Sequence, residues 1–587
     1  MKRASKLLSL ALCAAMTFSF SACGSGSNAG SASPAATSAA PATTAATPTP
    51  EATPTPEPAP ATTEAAPATS EAAATDNAAA NGMSPMGDQT SPYTVDMYFC
   101  GIEPPPGAQR IGDAMSQYVQ KTYNTNTTYA LHFLNWGTYD QTLNPMIASG
   151  QKFDTAYVNF GWGVDYYTSG PQGAFLDWTP YIGQVPAWEA LLQPYKDNIN
   201  AYTSGWAPQD ANGNKTTGVW LVPTFHDLAV QQGLEYNQTE AQKYGLEDQL
   251  KAVKTINDLT PIMKAYHDAN PAGIGFFTSD GSIFKIAKPQ AINVKQGDWK
   301  NQFYEMYDAS TDSYKASWSD PDWNSCVSLL DQWYQAGYIP DSLLTAKTAD
   351  VLNKATDWLM WVNTNKPGWY ASSNSNAATK GYSVNLIGLG PVYIGMSNVL
   401  GAAMGLSKTS GNPERAVYAY ELLCTDPVLT NMLIFGQEGT DYTLNGNKQV
   451  QVNTSSDYIA NGISWQLGNS YVRATLAEEP IDLGQQYQDW NASAARPKND
   501  TFSIAWTDAD KAEAQSKYGY DYDTYTATAT SVNTQYSAKL CSGMLSDAEV
   551  QAAVKMMTDA GFDSYLQQVN DYYKLWQADP VTYLATH

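Results

Sequence analysis

YTVDMYFCGIEPPPGAQRIGDAMSQYVQKTYNTNTTYALHFLNWGTYDQTLNPMIASGQKFDTAYVNF, residues 93 to 160, is the stretch that decides the fold class. Tyr93 to Phe99 has the composition and alternation of a β-strand and ends at Cys100-Gly101. After a loop with three prolines, Ile111, Met115, Tyr118 and Val119 recur at i, i+4, i+7 and i+8, the apolar stripe of an amphipathic helix. Tyr129 to Phe133 alternates as a second strand, broken by Asn135-Trp136-Gly137. Leu143, Met146 and Ile147 mark a second helix, which Pro145 is expected to kink. Phe153 to Phe160 is the third strand. Strands alternating with helices over so short a span predict a parallel sheet with crossover helices, hence an α/β fold. Ligands of open α/β sheets bind beyond the carboxyl ends of the strands. The loops 101–103, 135–139 and 159–165 are therefore the candidate site.

Working outward, Asp210-Ala-Asn-Gly-Asn reads as a turn around Asn212-Gly213, leading to a strand at Val219 to Val222. Asp258 to Asn270 is expected to be helical and Gly273 to Thr278 extended. A helix over Asp322 to Ala336 would place Trp323, Val327, Leu330 and Tyr334 on one face, with Gly337 as its stop. Asn412-Pro413-Glu414 combines a capping residue, a proline at the first helical position and an acid, and so starts a helix with Val417, Tyr420 and Leu423 inward. Ser546 to Glu549 forms a capping box, and Gly561 closes the helix it opens. The C-terminal third is mostly helical.

Upstream, Lys2, Arg3 and Lys6 precede an apolar run from Leu7 to Phe20, the dimensions of a secretory signal and too short to span a bilayer. The run ends in Phe20-Ser21-Ala22-Cys23, which resembles a bacterial lipobox with Phe20 where leucine is usual. Residues 1–22 are thus expected to be a lipoprotein signal peptide and Cys23 the lipid-bearing residue. From 23 to 90 runs an Ala/Thr/Pro-rich tract containing Thr-Pro-Thr-Pro-Glu twice (47–51 and 53–57). It has too few large apolar side chains to offset the entropy of ordering and is expected to be a disordered, semi-stiff tether. This places the body outside the cell, on the membrane's outer face.

With 32 basic and 56 acidic residues the net charge is −24, which argues against nucleic-acid binding. Cys100, Cys326, Cys424 and Cys541 remain after Cys13 and Cys23, with no CxxC spacing for zinc. One or two disulfides and four buried thiols both stay open. No G-x-S-x-G, P-loop, H-E-x-x-H or dinucleotide fingerprint occurs, so no cofactor, metal or enzymatic activity is expected. The turn at Asp210 mimics the start of a calcium loop, but Leu221 stands where a bidentate glutamate is needed.

Several segments together resemble the extracellular solute-binding proteins of family 1, in the lipoprotein branch with a LipO-like C-terminal region. They are Asn135-Trp-Gly-Thr-Tyr-Asp-Gln-Thr-Leu-Asn144, Ile147-Ala-Ser-Gly150 with Phe153-Asp154, Gly173-Ala-Phe-Leu-Asp177 and Gly218-Val-Trp-Leu-Val-Pro223. Leu406 to Glu414, Phe435 to Tyr442, Trp465-Gln-Leu-Gly-Asn469 and Tyr536 to Trp576 continue the series in the family's order. Pro145 and the proline-rich loop 103–107 depart from it. The resemblance implies a type II two-lobed clamp with discontinuous lobes and a helical C-terminal part. About 91–222 plus 400–445 would form lobe 1, and about 223–399 plus part of 446–587 lobe 2. It also implies a monomer that serves an ABC permease, with Pro223 at the first crossover, a return near 395–403, and Trp465 and Asn469 near hinge and cleft.

A carbohydrate, most simply an oligosaccharide, is the expected ligand, because sugars offer C–H faces to aromatic rings and hydroxyls to polar side chains. The candidate ligand residues are Glu103, Trp136, Asn159, Trp162, Phe225, His226, Trp465, Gln466 and Asn469. A peptide-binding transport protein is the runner-up. A secreted glycosidase needs only two carboxylates in a cleft, and a sensor or adhesin could use the same clamp.

Overall fold

The structure is a computed structural model and describes residues 82–211, 213, 215–277, 282–287, 302–344, 351–352 and 355–587. The signal segment, Cys23, the tether up to residue 81, Asn212 of the expected turn and Thr278 lie outside them.

Two apolar cores divide the chain. One draws on residues from Val95 to Ala229 and from Ile394 to Leu467; the other on Leu234 to Leu389 and Phe502 to Leu584. The molecule is thus a mixed α/β protein of two lobes, each assembled from separated stretches of sequence. The first lobe holds the expected parallel strands β1 (Tyr93–Cys100), β2 (Thr127–Leu134) and β3 (Thr155–Val158), with β1 central and paired in parallel to both. The helices Ala108–Tyr123 and Tyr139–Ser149 make the crossovers. Pro145 sits inside the second of these, which runs on through it as one helix.

Completing this sheet are β4 (Phe175–Leu176), β5 (Leu221–Pro223) and β12 (Ala403–Ser407), in the order β2-β1-β3-β12-β4 with β5 also on β12. β12 enters antiparallel, because the chain returns from the other lobe to reach it. Every residue of β3 and β12 is buried, as in a sheet covered on both faces. The helix Pro413–Thr425 begins as expected, with the Asn412 side chain accepting from the Arg415 N–H at 3.0 Å. It is so enclosed that Val417, Tyr420 and Leu423 are only three of its ten buried residues.

In the second lobe β6 (Gln231–Asn237), β7 (Ile274–Phe277), β10 (Trp358–Asn365) and β11 (Val384–Gly388) form a sheet in the order β11-β6-β10-β7, beside the hairpin β8 (Glu305–Asp308) and β9 (Ser313–Ala316). The helix Pro321–Gln335 buries Trp323, Cys326, Leu330 and Trp333. Val327 and Tyr334, placed inward by the sequence reading, are half-buried at the edge of that face, because the two indoles take its centre. The C-terminal helices pack on this lobe, with the Ser546–Glu549 capping box formed and Gly561 in the left-handed region at φ +99°.

Three segments carry the chain between lobes and run side by side. Val230 and Tyr393 exchange backbone hydrogen bonds at 2.8 and 2.9 Å, while Ala495 donates to Val392 and accepts from Ile394, both at 3.0 Å. The cores change over at 229–234 and 389–394, later than Pro223 and earlier than 400. The reason is that Leu228 and Ala229 remain packed in the first core after β5 ends.

The expected tether also stops short of 90. Ser84 donates to the Gln184 carbonyl at 3.0 Å, Met86 to its side chain at 2.7 Å, and the Gln89 carbonyl accepts from Asn126 at 2.8 Å. The fully buried Arg415 donates to the carbonyls of Asp88 and Ser91. Backbone satisfaction, not apolar content, ties this segment down. Cys100, Cys326, Cys424 and Cys541 are four buried free thiols, which decides the choice the sequence left open.

Candidate functional site

Three of the sequence-predicted tryptophans meet at the carboxyl edge of the first sheet. Trp136 follows β2, Trp162 follows β3, and Trp465 arrives on the 3-10 turn Asn461–Gln466. Trp136 and Trp162 have ring centres 5.2 Å apart at 54°, and Trp136 lies nearly parallel to Trp465 at 6.2 Å and 8°. Tyr157, fully buried, sits against both Trp162 and Trp465 and supports the group from below. Trp136 is 42% exposed, a large value for an indole held by two others. Nothing in core packing calls for that exposure.

Local backbone choices hold this platform. Gly101 stands at φ +119°, and a Cβ there would lie 2.9 Å from both Trp136 and Ile463; only glycine lets the indole approach β1 so closely. Gly161 and Gly163 flank Trp162 at φ +86° and +61°, and Asp165 ties the loop by accepting from the Gly161 N–H at 2.6 Å.

Polar candidates divide into those that stay available and those already committed. Glu103 is exposed and accepts from the Asn135 side chain, at the rim beside Trp136. Asn159 is spent within its own lobe: its amide donates to Tyr157 and to the Gly401 carbonyl at 2.9 and 2.8 Å, and its oxygen accepts from Phe160. Gln466 is fully buried, accepting from the Cys100 N–H at 3.0 Å and donating to the Cys100 carbonyl. It closes off the last residue of β1, and both ends of its amide are committed to that backbone.

Asn469 is fully buried on the Cys424 carbonyl and the Tyr471 N–H. Phe225 is buried and bridged to Asn469. Gln466 and Asn469 thus use their side-chain amides to satisfy buried backbone groups, whereas Phe225 is taken up by the apolar core of the first lobe.

His226 is half-buried at the first crossing. Its Nδ1 lies 2.9 Å from Asp227, whose other carboxylate oxygen is paired with Lys366, just beyond β10 of the second lobe. Burial acts to raise the Asp227 pKa, but Lys366 and His226 outweigh it and hold the group down at about 2. Lys366 also lies over the Trp369 ring at 5.2 Å. The sequence reading placed Asn135 in a candidate loop without singling it out, and passed over Lys366, Trp369 and Tyr157. Only the Lys-Pro-Gly-Trp turn at 366–369 carried a signal, a loop at a strand end.

No metal-ligating group of three or more His, Cys, Asp or Glu occurs among the described residues, and no described helix is long and apolar enough to cross a membrane. The site offers stacking surfaces and hydrogen-bonding rims, the chemistry of binding.

No family model matches the chain. A carbohydrate ABC transporter substrate-binding protein of Streptococcus pneumoniae serotype 4 is 25% identical over 368 residues, 60% of this chain and 67% of that protein. The crystal structure of the N-glycan transport solute-binding protein from the same species has a TM-score of 0.62 at 19% identity, covering 83% of this chain and all of that one. Its complex with Man5GlcNAc gives 0.54 at 18% identity, covering 83% and 99%. An extracellular solute-binding protein from Bifidobacterium longum subsp. infantis gives 0.55 at 13% identity, covering 84% and 100%. These relatives are substrate-binding proteins, not enzymes, and the chain has their fold: two α/β lobes of the solute-binding kind.

Proposed function

We propose that this chain is the capture subunit of an ABC importer, held on the outer face of the membrane by lipid on Cys23, and that it takes an oligosaccharide between its lobes and delivers it to a permease. The observation that carries the reading is the platform of Trp136, Trp162 and Trp465. Indole faces bind the C–H faces of pyranose rings, and the exposed Glu103 at the rim is a ready partner for hydroxyls. The similar proteins, a carbohydrate substrate-binding protein and an N-glycan transport protein, point the same way. The three side-by-side crossings at Val230, Tyr393 and Ala495 form the natural hinge, because few backbone angles need change there for the lobes to close.

The test is thermal stability of the chain against panels of oligosaccharides and peptides. A ligand at about 100 times its Kd stabilises by roughly 2.7 kcal/mol. Trp136→Ala should weaken the responding sugar by about 10- to 100-fold, as expected for an aromatic anchor. Because the indole is already 42% exposed, the substitution should cost roughly 1 kcal/mol of stability, mainly its contacts with the two other indoles. A peptide response with no sugar response, or product release from a sugar, would overturn the reading.

A further inference from the structure

We infer that the site selects uncharged oligosaccharides and rejects acidic ones such as uronates and sialylated chains. This rests on the carbohydrate reading above and narrows it to a substrate class.

The argument is the sign of the charge around the platform. Glu103 is exposed at the rim of Trp136 and meets only the neutral Asn135 side chain among the described residues. Asp140, on the first turn of the helix that follows Trp136, adds a second carboxylate, near enough that its charge contributes to the raised pKa of Cys100 under the sheet edge. Asp165, beside Trp162, is a third, bonded to backbone N–H groups and the Thr168 hydroxyl, and to no cation among the described residues.

Cations that could offset them are engaged elsewhere. Arg110 is held by Asp441 and Asp457, and Lys366 by Asp227. The long-range field has the same sign, since the whole chain carries −24. A carboxylate on a stacked sugar would therefore meet like charge, with no uncommitted cation beside the platform among the described residues. Such repulsion is a common route to discrimination between otherwise similar ligands.

The experiment uses the full chain with matched probes: lacto-N-tetraose against its sialylated form, and galactotetraose against tetragalacturonate, with Man5GlcNAc as a further neutral probe. Affinities are measured by calorimetry at low salt and at 0.5 M NaCl. The acidic member of a responding pair should bind at least roughly tenfold more weakly at low salt, and the gap should narrow in high salt as the repulsion is screened.

In Glu103→Gln the ratio of acidic to neutral affinity should rise several-fold. That ratio is the readout, since the neutral affinity can itself change when a rim residue is replaced. An acidic member that binds as well as its neutral partner, or a ratio unmoved by both salt and Glu103→Gln, overturns the inference while leaving the carbohydrate reading intact. No response to any sugar overturns both.

Discussion

Gln466→Ala separates a scaffold residue from a ligand residue, and its cost can be worked from the structure. The side chain is fully buried and spans the N–H and C=O of Cys100, the last residue of β1. Truncation removes two hydrogen bonds, each worth about 1 kcal/mol net, and strands a buried donor and acceptor whose desolvation costs about 1–3 kcal/mol apiece. Allowing for partial relaxation, the loss should be about 3 kcal/mol. For a lobe of this size that lowers the melting temperature by roughly 6 to 12 °C.

Gln466→Met keeps the volume and removes only the hydrogen bonds, so it should retain most of the destabilisation. Differential scanning calorimetry reads the shift. Calorimetric titration well below the melting temperature should find ligand affinity changed by at most a few-fold. Unchanged melting within about 1 °C together with a large loss of affinity would refute the reasoning and return Gln466 to the binding surface.

Lys366→Met leaves the buried Asp227 carboxylate without its ammonium partner and should cost about 3–5 kcal/mol in urea denaturation. Adding Asp227→Asn should recover much of that loss; no recovery would mean that Lys366 stabilises through some other contact. The pH dependence follows from three buried carboxyls. Burial pushes Glu421 up to about 8, against the lowering effect of the Gly183 and Val185 N–H groups, and Asp500 up to about 6, against that of Met396.

In the unfolded chain both ionise near 4. The native state therefore holds protons that the unfolded state has released, and stability falls as pH rises from about 4 towards 8. Asp227 works in the opposite sense. Its contribution is present above the unfolded pKa of about 3.9 and is lost as pH falls through about 2. Melting temperature should thus decline from pH 5 to 8.5, with a shallower decline in Glu421→Gln; a flat or rising profile contradicts this. The thiols of Cys100, Cys326, Cys424 and Cys541 should stay unreactive to a thiol reagent in the native body and titrate together in denaturant without reductant, whereas a disulfide would lower that number.

The α/β class, the parallel pairing of the first three strands and several helix starts were legible in the sequence, because periodicity, caps and prolines are local properties of the chain. Asn412-Pro413 and Ser546 to Glu549 cap their helices with neighbours within a few residues, so no distant part of the molecule is needed to specify them. The exposed position of Trp136 was legible for the same reason: it follows a strand end and precedes a glycine.

What tertiary structure alone decided lies at long sequence separation. Gln466 looked like a ligand residue because an amide beside a tryptophan is ambiguous until its partner is known, and that partner is Cys100, 366 residues away. The same holds for the gathering of Trp136, Trp162 and Trp465, for the Asp227–Lys366 pair that ties the first crossing to the second lobe, and for the points at which the cores change over. A single side chain carries its chemistry wherever it stands. Whether a buried amide satisfies the backbone or waits for a ligand depends on what the completed fold brings within hydrogen-bonding distance.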